Sequence, residues 1–189
     1  MSLLIAIPYH SGYGHTQKVA ESALRGAQDA GADASLVDVT SMSDADWQML
    51  DQAHAIIFGA PTYMGSVSAE YKHFMDGSSK RWMDQRWKDK IAGGFTNSGA
   101  FCGDKLNSLI QLNIFAMQHS MIWVGAGLKQ SSGDKEPDGS HVNRLGSYMG
   151  VMTYAINESA ELTPPSGDLE TARLYGERIA TVTKSFTSA

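Results

Sequence analysis

The chain has 189 residues, 42% of them hydrophobic and 19% charged, with a formal net charge of −5: enough for one well-buried core and too little for two comfortable ones. No block of Lys or Arg marks a nucleic-acid or anionic-membrane surface, and the lone Cys102 excludes an internal disulfide and a cysteine-rich metal site. No apolar stretch approaches the width of a bilayer and the N-terminus lacks a signal-type core, so one cytoplasmic domain over residues 1–189, without nucleic-acid or membrane partners, is expected.

Leu3 to Ile7 form an unbroken apolar run of the kind a buried parallel strand shows, with Pro8 expected to end its ladder. Ser11, Gly12, Tyr13, Gly14, His15 and Thr16 follow, and then Val19, Ala23 and Ala27 recur at helical spacing, predicting a helix from about Thr16 to Ala30 capped by Gly31. A small, glycine-containing loop between a buried strand and a helix N-terminus leaves backbone N–H groups aimed at one point, with the positive end of the helix dipole behind them, which suits a phosphate. An ordinary strand-to-helix turn with Thr16 as N-cap is the plainer alternative.

Ala34–Val39 is the second predicted strand, Asp44–Asp51 a short helix, and Ala55–Phe58 a third strand stopping at Gly59, Ala60 and Pro61. A loop from Pro61 to Ser66 leads into a helix whose Val67, Tyr71, Phe74 and Met75 share a face. Polar sequence from Ser78 to Lys90 carries Trp82 and Trp87, which is unusual for a simple connection. Ile91–Phe95 is strand four, where Gly93 and Gly94 suggest a bulge or a close backbone approach. The loop Thr96–Gly103 precedes a helix with Leu106, Leu109, Ile110, Ile114 and Met117 along one stripe, and Met121–Val124 is strand five. From Gly125 to Gly150 periodicity fails, the mark of a functional loop over the open face or of disorder. Leu169, Ala172, Gly176, Ile179 and Phe186 mark a last helix after Pro164 and Pro165.

Strand and helix alternate throughout, predicting an α/β fold: five strands in a doubly wound parallel sheet with helices on both faces. The loops after strands one, three and four then share the carboxyl edge, where ligands bind in such folds. Two rivals fit the residues poorly. A dinucleotide motif would need a third glycine where Gln17 stands, with Asp38 on the ribose. A phosphoacceptor domain would need acids where Tyr9, His10, Ala60 and Pro61 stand. His10, His54, His73 and His141 show no metal-ligand spacing.

SGYGHT after strand one, GAPTYMGS after strand three and TNSG after strand four together resemble the FMN-binding flavodoxin-like family. Within it the chain is similar to the NAD(P)H:quinone oxidoreductases historically named tryptophan-repressor-binding proteins, and to NADPH-dependent FMN reductases. The likeness runs from about Leu3 to Trp123 and returns from Pro165 to Ile179. It implies strand order 2-1-3-4-5, bound FMN with NAD(P)H as co-substrate, a quinone or flavin as acceptor, and a homo-oligomer (dimer or tetramer). Carried over residue by residue, it implies that Ser11, Tyr13, Gly14, His15 and Thr16 hold the FMN phosphate. Pro61, Thr62, Tyr63, Met64 and Gly65 would line the isoalloxazine, and Asn97, Ser98, Gly99 and Gly103 would pack on its other side. His119 would donate to the N1–O2 edge of the reduced ring or, on the plainer reading, cap the helix that ends there; Tyr63 is the second catalytic candidate, and Trp82 matches a tryptophan that reaches a site across a subunit boundary. The chain departs from the family at Ala100, Phe101 and Cys102, expected to reshape the space above the flavin, at Tyr63 in place of arginine, at Gln118 in place of histidine, and in a shorter segment between strands two and three. A flavodoxin acting only as an electron carrier is the alternative function, although such carriers tend to be strongly acidic and −5 is mild.

Overall fold

The computed structural model describes residues 2–131 and 139–187. The first strand, β1 (Leu4–Tyr9), lies between β2 (Asp33–Asp38) and β3 (Ala55–Tyr63), and β3 is followed in the sheet by β5 (Ile91–Ser98), all parallel. The helices are α1 (His15–Asp29), α2 (Asp44–Gln52), α3 (Ala69–Gly77), the short α4 (Ser79–Met83), α5 (Lys105–Gln118) and α6 (Ser166–Thr187). Local chemistry sets several starts. Ser43 and Asp46 form a reciprocal capping box on α2, and the Ser68 hydroxyl accepts from the Tyr71 N–H at the start of α3.

Alternation along the strands divides the core in two. Ile5, Ile7 and Ile57 face Val19, Ala23 and Ala27 of α1 and Ala172, Tyr175 and Ile179 of α6. Ala6, Ile56 and Phe58 face the other layer, built from Leu50 of α2, Tyr71 and Phe74 of α3, and Leu109, Leu112 and Phe115 of α5. Trp87, in the polar stretch after α4, is fully buried in that second layer and donates from its indole to Asp51 at 2.9 Å. Trp82 stays half exposed.

The flavodoxin-like architecture and the order of the first four sheet positions are as expected, and the fifth position is different. It is filled by two short strands, β6 (Ile122–Trp123) on the first residues of β5 and β7 (Val151–Tyr154) on the last ones. The chain leaves the sheet between them and returns to the same place, with the Ala126 N–H donating to the Tyr148 carbonyl at 2.9 Å and the Trp123 indole to the Met149 carbonyl at 2.8 Å. Residues 125–131 and 139–150 of this excursion lack regular strands and helices; the remainder of the stretch lies outside the described residues.

Other boundaries shift for traceable reasons. Pro8 sits inside β1 opposite Val37, its missing N–H tolerated, and its carbonyl accepts from the buried Tyr71 hydroxyl at 3.1 Å. Strand β3 continues through Pro61 to Tyr63 and turns back as β4 (Ser66–Val67), with Met64 and Gly65 as a two-residue turn at positive φ. Gly93 and Gly94 mark a close approach and no bulge: a Cβ on Gly93 would lie 2.4 Å from the Tyr175 hydroxyl.

Candidate functional site

The carboxyl edge of the sheet carries a trough. Its first wall is the loop after β1, where Ser11, Tyr13, His15 and Thr16 line it. Gly14 is the N-cap of α1 at φ 87°, a left-handed conformation that glycine adopts without strain, and it has no side chain of its own to cap the helix. The Ser11 hydroxyl accepts from the Gln17 N–H at 3.1 Å, bending the loop around the start of α1. His10, just before the loop, is buried and bonded through Nδ1 to Ser68 at 2.7 Å, which ties the root of the loop to the cap of α3.

The second wall is the end of β3. Pro61, Thr62 and Tyr63 line the trough, while Met64 and Gly65 do not. They sit at the hairpin turn, with Met64 fully exposed and the Gly65 carbonyl held by Asn107 at 2.7 Å. Tyr63 reaches back across the trough, its ring edge-on to Tyr13 at 6.3 Å and to His10 at 6.4 Å. Its partial burial raises the phenol pKa, with Tyr13 adding to the rise and the Gly12 amide opposing it.

The third wall is the end of β5, with Asn97, Ser98 and Gly99. Below it the Thr62, Thr96 and Ser108 hydroxyls form a buried chain with 2.7 Å contacts, locking β3, β5 and α5 together. The Thr153 hydroxyl donates to Asn97 Oδ1 at 2.8 Å. Gly103 lies behind this wall at φ 55°, where a Cβ would sit 2.5 Å from Ser98 Oγ, so it shapes the loop and does not line the trough. Phe101 and Cys102 turn away as well. Phe101 stacks on Tyr154 at 4.3 Å, and both Phe101 and Cys102 line a separate apolar trough together with Arg144 and Tyr148, so none of these residues narrows or covers the main one.

A fourth wall, Ala155, Ile156 and Asn157, was not read from the sequence. It follows β7, whose four residues gave no strand signal after the polar excursion. The same segment packs on the first loop: His15 Nε2 donates to the Glu158 carbonyl, Lys18 pairs with Glu161 at 2.8 Å, and a Cβ on Gly14 would sit 3.0 Å from Ala160 Cβ.

His119 is not at this site within the chain. It caps the C-terminus of α5, a helix that starts behind the third wall and runs about 21 Å toward the opposite sheet edge. There it is buried between Trp87 at 4.3 Å and Phe115 at 4.9 Å. Ser78 already donates its hydroxyl proton to the Met75 carbonyl, so its 2.9 Å contact with His119 Nε2 makes that nitrogen the donor and assigns the neutral Nε2–H tautomer. Burial pushes the ring down to about 4, as expected of a packed, uncharged imidazole.

None of the residues lining the main trough is acidic, although the chain as a whole is. A helix N-terminus led by a glycine, hydroxyl donors beside it, and a slot between two loop walls match a group with an anionic tail and a flat body. Those features and the flavodoxin-like sheet define an α/β protein built to bind FMN. The chain belongs to the NADPH-dependent FMN reductase family, whose family model matches residues 8–129. FMN is the cofactor of that family and NAD(P)H the co-substrate.

The flavodoxin FldP of Pseudomonas aeruginosa is 44% identical over 179 residues, covering 93% of this chain and 94% of that protein. An NAD(P)H dehydrogenase (quinone) of Archaeoglobus fulgidus is 27% identical over 200 residues, covering 94% of this chain and 96% of its own. Among solved structures, a WrbA-like flavodoxin from Agrobacterium tumefaciens superimposes with a TM-score of 0.77 at 41% identity, covering 97% of this chain and 99% of that one. Among the described residues no helix is long and apolar enough to cross a membrane.

Proposed function

We propose that this chain is an FMN-dependent oxidoreductase that takes electrons from NAD(P)H and passes them to a quinone, free flavin or another small flat acceptor, in two half-reactions at one site. The observation that carries the reading is the convergence of four chain segments on one trough without a carboxylate in its walls. Ser11, His15 and Thr16, with Tyr13 and Gly14, hold the phosphate at the start of α1. Pro61, Thr62 and Tyr63 form one side of the slot for the ring, Asn97, Ser98 and Gly99 the other, and Ala155 to Asn157 close the end beside the first loop. Bound FMN supplies a ring that accepts a hydride and returns electrons to a second substrate. The chain's own contribution is orientation, exclusion of water from one face, and donors for the charge that reduction brings. Tyr63 serves as an aromatic wall; His119, packed at the far edge, has no part in this reading. Self-association as a dimer or tetramer belongs to the same proposal, with Leu106, Ile110, Ile114 and Met117 of α5 exposed along one side as the available face. So does a cytoplasmic setting.

The 44% relative named a flavodoxin favours a second reading, an electron carrier without its own nicotinamide turnover. Anaerobic stopped-flow mixing of the FMN-loaded protein with NADPH or NADH separates the two. Bleaching of the flavin absorbance within seconds is expected. No bleaching over minutes with either nicotinamide removes the oxidoreductase and leaves the carrier.

A further inference from the structure

Lys105, the first residue of α5, is fully buried. Its Nζ donates to Ser98 Oγ at 2.8 Å and to the Ala100 carbonyl, so the ammonium stands one hydrogen bond behind a wall of the flavin trough. Three charged or titratable groups act on it through space: Asp168 of α6, Cys102 of the loop between β5 and α5, and Arg144 from the excursion between β6 and β7. Asp168 is already engaged by Arg144 through both oxygens, at 2.6 and 3.2 Å, and accepts from the Tyr154 N–H at 2.7 Å. The nearby carboxylate is thus committed to Arg144, and the buried Lys105 ammonium is held by two neutral acceptors, leaving a surplus positive charge away from water. Such a charge is costly unless an anion arrives to meet it.

Resting on the FMN reading above, we propose that Lys105 is a positioning and charge-balancing residue of the redox step: it holds the third loop in place and compensates the negative charge that hydride transfer delivers to the trough. In that step the nicotinamide C4–H bond breaks and a bond forms to flavin N5, with NAD(P)⁺ as the departing product. A hydride carries two electrons and one proton, so the trough gains one unit of negative charge. Desolvation lowers the Lys105 ammonium to about 8, opposed by Asp168. The side chain is thus charged at neutral pH and, above about pH 8, is poised to take up a proton when the flavin is reduced.

Spectroelectrochemistry of the FMN-loaded protein between pH 7 and 10 tests this, comparing wild type with Lys105→Met. The variant is expected to bind reduced FMN about tenfold more weakly relative to oxidised FMN, which lowers a two-electron potential by about 30 mV at pH 7. In the wild type the potential falls by about 30 mV per pH unit near pH 7, steepens to about 45 mV between about pH 8 and 9, where the lysine takes up part of a second proton on reduction, and relaxes toward about 30 mV above that; the variant keeps the shallow slope throughout. A lysine that only braces the loop would weaken both oxidation states alike and leave potential and slope unchanged, and that result overturns the proposal. Should the variant fail to take up FMN, a uniform shallow slope in the wild type overturns it equally. Failure of the wild type to bind FMN at all is a different outcome, and brings down the cofactor reading itself.

Discussion

His15 donates from Nε2 to the backbone carbonyl of Glu158 at 2.8 Å, and with that bond the loop after the first strand is fastened to a segment 143 residues further along the chain. The bond joins two walls of the trough through a side chain that also stands at the N-terminus of α1. His15→Ala is expected to weaken FMN binding by roughly fivefold to tenfold, the scale of one lost hydrogen bond to an ordered loop. His15→Gln, which retains an N–H donor, should recover most of it. Titration of the apoprotein by flavin fluorescence quenching measures both, and equal affinity in the alanine variant and the wild type would detach His15 from the site.

The first loop itself is tested by charge. In the proposed reading Ser11 and Thr16 lie where the anionic tail meets the helix dipole, so a Ser11→Glu/Thr16→Glu pair places two carboxylates in the phosphate seat. The carboxylates would repel the phosphate and compete with it for the positive end of the helix dipole. FMN uptake should fall below detection while circular dichroism stays that of the folded sheet. Unaltered uptake would remove the assignment of this loop.

His119 gives a prediction about stability in place of catalysis. Its folded pKa is lowered from the ordinary 6.5 to about 4 by burial. Between those values the unfolded chain binds a proton that the folded chain refuses, so stability falls as pH drops through this window, by about 3 kcal/mol in full. His119→Phe keeps an aromatic between Trp87 and Phe115 and removes the titration. Its urea midpoint should vary less than the wild type's between pH 6.5 and 4, with FMN affinity at pH 7 unchanged; a large loss of affinity would return His119 to the site.

The architecture was legible because its signals are local and repeated: unbroken apolar runs for the buried strands, helical spacing between them, and hydroxyl-and-glycine loops at the strand ends. The site residues that came together, from Ser11 to Thr16, Pro61 to Tyr63 and Asn97 to Gly99, follow from that topology, since strand ends in a parallel sheet share an edge. What was missed depends on distance. Val151–Tyr154 is too short to announce a strand after an aperiodic stretch, and only pairing with the far half of β5 makes it one. Ala155 to Asn157 were hidden with it. Met64, Gly65 and Gly103 entered through family likeness; two of them form the hairpin turn beyond the trough and the third lies behind Ser98. Lys105 carries no sequence signal at all, since a lysine at a helix start reads as solvated.

The split in the fifth sheet position creates a debt of hydrogen bonds that one side chain settles. Ala92 pairs with Trp123 on β6 and Phe95 with Val151 on β7, so Gly93 and Gly94 between them have no strand partner on that side. The Gly94 N–H instead donates to the Tyr175 hydroxyl at 3.1 Å, and that hydroxyl donates to the Val124 carbonyl at 2.6 Å, at the point where the chain leaves the sheet. Tyr175 is fully buried, and the absence of a side chain on Gly93 makes room for its ring. Tyr175→Phe preserves the packing but strands a buried donor and a buried acceptor together, at roughly 1–3 kcal/mol for each unsatisfied group. A loss of about 2–5 kcal/mol in urea unfolding is therefore expected, along with faster amide exchange at Gly94 and Ala126. Gly93→Ala should cost a comparable amount by overpacking, and because both changes act on one contact the double variant should lose less than the sum. Strict additivity would show that the tyrosine does not bridge the split.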